Sequence, residues 1–154
     1  MKTLKLFAFI ILFHVTSLYA QFDNVNDYLG RPITFYANYY LNDAATSNYD
    51  AYGNPVVYYN PTILARYSFQ SQMFIYYHEC GHHFLGHLKY DLRNNIPYYK
   101  EQEADCFSIN YLVRNKNFGS SDIQIIQNEM LSSPGDWTHL PGPARANNLP
   151  YCLH

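Results

Sequence analysis

The chain has 154 residues, enough for one domain with a single hydrophobic core. It carries 10 basic and 12 acidic residues, and its Lys and Arg residues form no cluster. A nucleic acid or an anionic membrane surface is therefore a poor candidate partner. Tyrosine is abundant, at 17 residues, and the three cysteines allow at most one disulfide and one free thiol.

The first twenty residues have the three-part plan of a secretory signal peptide. Lys2 and Lys5 precede the uninterrupted apolar run Leu6–Phe13, and Ala20 is a small residue at a plausible cleavage point. A membrane helix needs about 20 apolar residues, so this run is too short to be one. We expect cleavage after Ala20 and export to the periplasm or the cell exterior. The mature chain, residues 21–154, is then a single domain without a membrane span. The alternative is an uncleaved signal anchor.

The N-terminal third of the mature chain is expected to form strands and turns. Residues 21–53 alternate aromatic side chains with Asn, Asp and Thr. Residues 50–55 contain a turn signal. Val56–Tyr59 is β-branched and aromatic and is closed by Asn-Pro, which predicts a short strand. Residues 61–66 are expected to form a short helical turn.

The rest of the chain is expected to be mainly helical. The spacing of apolar side chains predicts helices over residues 71–87, 97–114 and 121–133. Pro97 suits the first turn of the second helix. Ser121 and Gln124 fit the reciprocal capping pattern at the start of the third. A further short helix is expected over residues 143–149 in the Pro-rich tail.

The first of these helices contains an H-E-x-x-H motif, residues 78–82. His78 and His82 are four residues apart, so both imidazoles can reach one tetrahedral Zn²⁺ from the same helix face. Glu79 lies about 100° round the helix, where it can take a proton from a zinc-activated water without binding the metal. The alternative is a chance match in a His-rich helix, against which the helical context argues.

A catalytic zinc site needs a third protein ligand. The metzincin extension of the motif is excluded because leucines occupy its glycine and third histidine positions. The second helix offers Glu101 instead, and Asp105 on the same face can accept the far N–H of a ligand histidine. Glu103 lies about 200° from Glu101 and is disfavoured as a ligand. The remaining alternative is that these acids form a solvated helix face.

Three separated segments resemble the gluzincin metallopeptidases, and within them the HtpX-like and CAAX-prenyl-protease-like family. His78–His87 resembles that family's zinc helix, and Glu101–Asp105 resembles its glutamate-ligand helix. Thr138–Arg145, with Leu149 after it, resembles its Thr-His-Pro segment and the following Arg and Leu. The resemblance spans residues 54–149 and implies one Zn²⁺ per chain.

The resemblance implies a minimal zincin-like α+β domain, in which active-site helices pack on a small Tyr-rich sheet. An edge strand at residues 56–60 is expected to bind a peptide or protein substrate in extended form. His139 is implied to approach the zinc, where it either donates to the developing oxyanion or binds as a fourth ligand at rest. Arg145 either orients the carboxylates of Glu101 and Asp105 or caps the fold.

The remaining histidines and cysteines near the motif are expected to be structural. His83 and His87 lie off the face of the two motif histidines and are interpreted as surface or packing residues. The two active-site helices meet through the metal, so a bridge between Cys80 and Cys106 has poor geometry. We expect Cys106 to pair with Cys152 and Cys80 to remain a buried thiol.

The sequence therefore predicts an exported zinc-dependent endopeptidase, in which Glu79 is the general base and then protonates the leaving amine. Two alternatives stay open. One is a non-enzymatic binding module on a zincin scaffold. The other is a structural zinc protein in which His139 permanently closes the fourth metal position. The intact Glu79 argues against the binding module, because a purely structural zinc site needs no base.

Overall fold

The computed structural model describes residues 24–88, 98–135 and 139–153. In chain order these residues form β1 (Thr34–Ala37), β2 (Ala45–Tyr49), β3 (Pro55–Tyr59), α1 (Pro61–Leu64), α2 (Phe69–Phe84), α3 (Tyr98–Lys116), α4 (Ser120–Met130) and α5 (Gly142–Asn148), then a 3-10 turn over Leu149–Cys152. The predicted α+β class is confirmed. The proposed signal peptide, residues 1–20, and Thr138 lie outside the described residues.

The three strands form one mixed sheet in the order β1-β3-β2. β1 runs parallel to β3, with Thr34 opposite Val56, and β2 runs antiparallel to β3, with Ala45 opposite Tyr59. β3 is therefore the central strand, and the expectation of an edge strand at residues 56–60 is wrong. The physical reason lies in its composition, because consecutive buried side chains such as Val56 and Val57 are typical of a strand covered on both faces.

The outer strand next to the active-site helix is β2. It packs against α2, and the hydroxyl of Ser47 donates to the backbone carbonyl of Glu79 over 2.8 Å. Among the described strands, β2 forms one edge of the sheet. The sheet edge available beside the H-E-x-x-H helix therefore belongs to residues 45–49 instead of residues 56–60.

Helices α2 and α3 approach closely because small residues lie where they cross. A Cβ added to Gly81 would lie 3.2 Å from the Cα atom of Ala104 and 3.1 Å from the ring of Phe107. Ala104 is fully buried at this crossing. The hydroxyl of Ser108 donates to the carbonyl of Phe74 over 2.7 Å and ties the two helices together further along. This close approach brings the acidic side chains of α3 to the histidines of α2.

α2 ends earlier than predicted, and its end has the geometry of a Schellman motif. The helix stops at Phe84, and Gly86 follows with a φ of 71°. The N–H of Gly86 donates to the carbonyl of His83, and the N–H of His87 donates to the carbonyl of His82 over 2.9 Å. Because glycine adopts positive φ without strain, the chain reverses here. His87 is thereby carried back to the end of the helix.

The other helix boundaries differ from the predictions by small amounts. α1 begins after Asn60, whose side chain accepts from the backbone N–H of Thr62, and it ends at Leu64. α4 begins one residue before its predicted start, after Gly119, whose N–H donates to the side chain of Asp122 over 2.9 Å. The predicted capping pair of α4 is therefore wrong, since the actual pair stands two residues earlier in the chain.

Cys106 and Cys152 form a disulfide with a Cα–Cα distance of 4.9 Å, as predicted, and Cys80 is a buried free thiol. The bridge fastens the C-terminal 3-10 turn to α3. The side-chain amide of Asn110 on α3 supports the same contact by donating to the carbonyl of Cys152. Within the described part of the chain, no helix has the length and apolar character that crossing a membrane requires.

Candidate metal centre

Two helices bring the predicted metal ligands together in the interior. α2 presents His78 and His82, whose Nε2 atoms are 3.1 Å apart. α3 presents Glu101, with one carboxylate oxygen 3.2 Å from Nε2 of His78 and the other 3.5 Å from Nε2 of His82. All three side chains are buried. Their donor atoms therefore converge on one point between the helices.

The spacing of these donors fits a small tetrahedral cation. With zinc–ligand bonds of about 2.0–2.1 Å, neighbouring ligand atoms of a regular tetrahedron lie about 3.3 Å apart. The Nε2 atoms of His78 and His82 lie 3.1 Å apart, and the two carboxylate oxygens of Glu101 lie 3.2 Å from the first and 3.5 Å from the second. Two imidazoles and one carboxylate are also a donor set that suits zinc. The residues present thus fit the metal that the sequence implies.

His139 adds a fourth donor at the mouth of the centre. Its Nε2 lies 2.8 Å from a carboxylate oxygen of Glu101, and donor atoms of His78, Glu101 and His139 all lie within 4.8 Å of one another. Two overlapping triads therefore exist, which share His78 and Glu101. The triad with His82 is tighter and more deeply buried, whereas the His139 side chain is 25% exposed. His82 is therefore the better placed candidate for the third ligand, and His139 lies at the open side of the centre.

Asp105 and Arg145 hold the far side of His78. Nδ1 of His78 lies 2.8 Å from Asp105 Oδ1, and Arg145 donates to both carboxylate oxygens of Asp105 over 2.9 and 2.6 Å. Burial raises the pKa of Asp105, but the hydrogen bonds from Arg145 and His78 outweigh it and lower this pKa to about 2. The guanidinium group of Arg145 thus orients the carboxylate of Asp105 through two hydrogen bonds. The structure shows no hydrogen bond between Arg145 and the predicted second target, Glu101.

His87 contacts the candidate metal ligand His82, and the sequence pattern did not reveal this contact. Its Nδ1 lies 3.1 Å from Nδ1 of His82, and its Nε2 lies 3.1 Å from a carboxylate oxygen of Glu103. The interpretation of His87 as a packing residue agrees with its burial, but its contact with His82 was not predicted because the predicted helix continued through residue 87. Burial, with repulsion from His82, lowers the pKa of His87 to about 4. His83 does pack, since it is buried and bonded to the carbonyl of Val56.

Glu79 lies beside the centre and is held by a strand residue. Its carboxylate accepts a short hydrogen bond of 2.5 Å from the hydroxyl of Ser47, which also contacts the Glu79 carbonyl. Ser47 is therefore a further site residue that sequence reasoning did not find. No local pattern signals it, because its role depends on β2 packing against α2. The contact holds Glu79 beside the metal ligands without making it one.

Hydrogen bonds within the centre shift the pKa values of its histidines and carboxylates. Burial alone would lower the pKa of His78, but hydrogen bonds to Asp105 and Glu101 raise it to about 10. Burial also opposes the charge of His139, but the hydrogen bond to Glu101 raises its pKa overall. The pKa of Glu101 is lowered because the hydrogen bonds from His139, His78 and His82 outweigh burial. The anionic charge of the centre thus attracts positive charge strongly.

A cleft of about 350 Å³ opens beside the metal ligands. Its wall combines apolar side chains from α2 and α4 with polar groups of the centre, namely Phe74, Ile126, Met130, His78, Glu79 and His139. Asp43, Ala44 and Ala45, at the start of β2, line the same cleft. An extended ligand in this cleft would therefore contact both the sheet edge and the candidate metal centre.

The chain matches no protein-family model, no curated protein and no solved structure. Its resemblance to the gluzincins therefore rests on the motif residues themselves. What the described residues establish is a buried group of imidazole and carboxylate donors that could hold a metal ion. Glu79 and an open cleft lie next to this group.

Proposed function

We propose that this chain is an exported zinc-dependent endopeptidase with one Zn²⁺ held by His78, His82 and Glu101. The observation that carries the proposal is the tetrahedral spacing of these three donors with Glu79 directly beside them on a cleft wall. Catalytic zinc sites combine three protein ligands with an open position, and the cleft supplies access to that position. The N-terminal leader supports export.

Each group beside the metal has a chemical task in peptide hydrolysis. When bound, Zn²⁺ would supply Lewis acidity for polarising a carbonyl group and acidifying a water molecule. Glu79 takes a proton from the water and returns it to the leaving amine, so the carboxylate ends the reaction as it began. Ser47 keeps the Glu79 carboxylate oriented toward the cleft. Asp105 fixes the tautomer of His78 by accepting its Nδ1–H.

The substrate is proposed to be a peptide or protein segment bound in extended form along β2. This strand lies at the edge of the described sheet, and Ala45 at its start lines the cleft. Backbone N–H and C=O groups at a sheet edge can pair with an added strand. The proposed docking edge is therefore residues 45–49, because residues 56–59 lie in the central strand.

A structural zinc protein is the second candidate, and one observation favours it. His139 Nε2 lies 2.8 Å from Glu101, close enough for His139 to complete a four-ligand site. A closed His₃Glu site would have no position for water or substrate. The cleft beside Glu79 argues against permanent closure. The two candidates make opposite predictions about turnover.

The deciding experiment combines metal analysis with a peptidase assay. The purified protein is analysed for zinc by mass spectrometry and tested on casein and on a quenched peptide library, with and without a chelator. The proposal expects one zinc per chain and turnover that chelation abolishes and added zinc restores. One zinc per chain without turnover would favour the structural role, and absence of bound metal would contradict both candidates.

Replacement of His139 by alanine should separate its two suggested roles. If His139 donates to the developing oxyanion, turnover should fall by about 10²–10³-fold while zinc is retained. If it instead occupies the fourth metal position at rest, turnover should rise or stay unchanged, because the position becomes open to water. The measurement is steady-state turnover of His139→Ala and wild type at equal zinc loading.

Zinc binding should release protons and strengthen with pH. In the metal-free protein the folded pKa of His78, about 10, lies above its ordinary value of 6.5. The contacts of protonated His78 therefore stabilise the folded protein fully below pH 6.5, and this stabilisation is lost as the pH rises toward 10. Zn²⁺ must displace this proton, so apparent affinity should rise by about tenfold per pH unit beyond pH 7. Competition with a chelator from pH 6 to 8.5 measures this slope, and a plateau above pH 7 would contradict it.

A further inference from the structure

The outer nitrogen of His82 faces a second chain of polar side chains. Nδ1 of His82 lies 3.1 Å from Nδ1 of His87, and Nε2 of His87 lies 3.1 Å from a carboxylate oxygen of Glu103. The three residues come from α2, from the turn that follows it and from α3. The proposed function uses His82 but assigns nothing to His87 or Glu103.

Only one arrangement of protons lets His82 bind a metal and satisfies both contacts. If Nε2 of His82 gives its lone pair to a cation, the ring proton of His82 is on Nδ1. Nδ1 of His87 must then accept that proton's hydrogen bond, so the ring proton of His87 is on Nε2. That N–H points at Glu103, which as a carboxylate can only accept. Each ring N–H of His82 and His87 in this series of contacts therefore has an acceptor.

His87 is held in this position by the backbone. The Schellman turn after α2 fixes its N–H on the carbonyl of His82, and Gly86 provides the positive φ that the turn needs. The ammonium group of Lys100 on α3 donates to the carbonyl of His87 over 3.2 Å. The side chain of His87 is 4% exposed, so water does not compete with its contact to His82.

We infer that His87 is a positioning residue that fixes the tautomer and ring orientation of the metal ligand His82. Glu103 in turn orients His87, as Asp105 orients His78 from the same helix. Metal-binding histidines almost always donate their second ring N–H to such an acceptor. The three acids of residues 101–105 then act on one centre, Glu101 directly and the other two through an imidazole. This inference rests on the proposed metal site and does not depend on peptidase activity.

Glu103 should contribute less than Asp105. The side chain of Glu103 is 56% exposed, so water can replace it as the acceptor for His87. Asp105 is buried and also held by Arg145. Glu103→Gln, which keeps an acceptor oxygen, should therefore change metal affinity by less than about threefold, whereas the loss of His87 should cost about 10–100-fold.

The test compares metal binding by His87→Ala, His87→Asn and the control His83→Ala with that of the wild type. Asparagine can present an acceptor near the position of Nδ1, whereas alanine cannot. His83 is also buried, but its ring bonds to the carbonyl of Val56 and contacts none of the proposed ligands within the described part of the chain. The measurements are zinc affinity by chelator competition and the visible absorption spectrum of the Co²⁺-substituted protein, with thermal melting to confirm folding.

His87→Ala should weaken zinc by about 10–100-fold and alter the Co²⁺ spectrum, and His87→Asn should recover most of both. His83→Ala should lower the melting temperature while the folded protein keeps wild-type affinity. Wild-type affinity and spectrum in His87→Ala would overturn the inference, as would a loss in His87→Asn equal to that in His87→Ala. A wild type that binds zinc without hydrolysing peptides would contradict only the proposed peptidase function and would leave the inference about His87 standing. A wild type that binds neither metal would overturn both.

Discussion

Glu79→Gln should retain one zinc ion per chain while peptide turnover falls by at least about 10²–10⁴-fold, the usual contribution of general acid–base catalysis. The glutamine keeps the size of the side chain and an oxygen that can accept from Ser47, so the contact between β2 and α2 survives. It removes the carboxylate that takes a proton from water and returns it to the amine. Glu79 holds no position among the converging metal donors, so zinc content should not change.

The matched control for this variant is Asp50→Asn. It makes the same change from carboxylate to amide on a side chain in the turn between β2 and β3, which contacts Tyr52 and Asn54 and does not line the cleft. Both variants are compared with the wild type by zinc content, thermal melting and initial rates on the same peptide. Full turnover in zinc-loaded Glu79→Gln would falsify the proposed mechanism. Equal losses in both variants would show that the effect does not come from proton transfer at Glu79.

Which candidate metal-binding side chains share a helix face could be predicted from the sequence, because that depends on helical periodicity. The spacing of His78 and His82, and of Glu101 and Asp105, fixes which side chains share a face once the segments are helical. Small residues at the helix crossing, such as Ala104, make the close approach of the two helices physically reasonable. The structure places all of these side chains where the pattern puts them.

The residues that the sequence did not reveal depend on contacts between distant segments. Ser47 reaches Glu79 only because β2 packs on α2, and a strand pattern does not state which neighbour a strand takes. The contact of His87 with His82 was not predicted because it follows from the reversal of the chain at Gly86, whereas the predicted helix continued to residue 87. The central position of β3 likewise depends on which strands pair with it, and its own sequence does not state this. Composition predicted a strand over residues 56–59, while the resemblance suggested that this strand was an edge.

Glu101→Ala is expected to release the zinc, as are His78→Ala and His82→Ala. The donors lie at the spacing of one tetrahedral site, so removal of any one leaves two protein ligands. Glu101 is also the only carboxylate that contacts three imidazoles among the described residues. The loss in affinity should therefore exceed the roughly 10–100-fold that removal of an outer hydrogen bond costs.

Glu103→Ala is the control that tests the register of α3. Glu103 and Glu101 are two residues apart on one helix, but only Glu101 contacts His78 and His82, while Glu103 reaches His87. After dialysis at micromolar concentration, zinc content should be near zero for Glu101→Ala and close to one ion per chain for Glu103→Ala. Thermal melting establishes that both variants fold. If zinc is lost from Glu103→Ala and kept by Glu101→Ala, the carboxylate ligand has been assigned to the wrong residue, because a ligand's removal must release the metal that it holds.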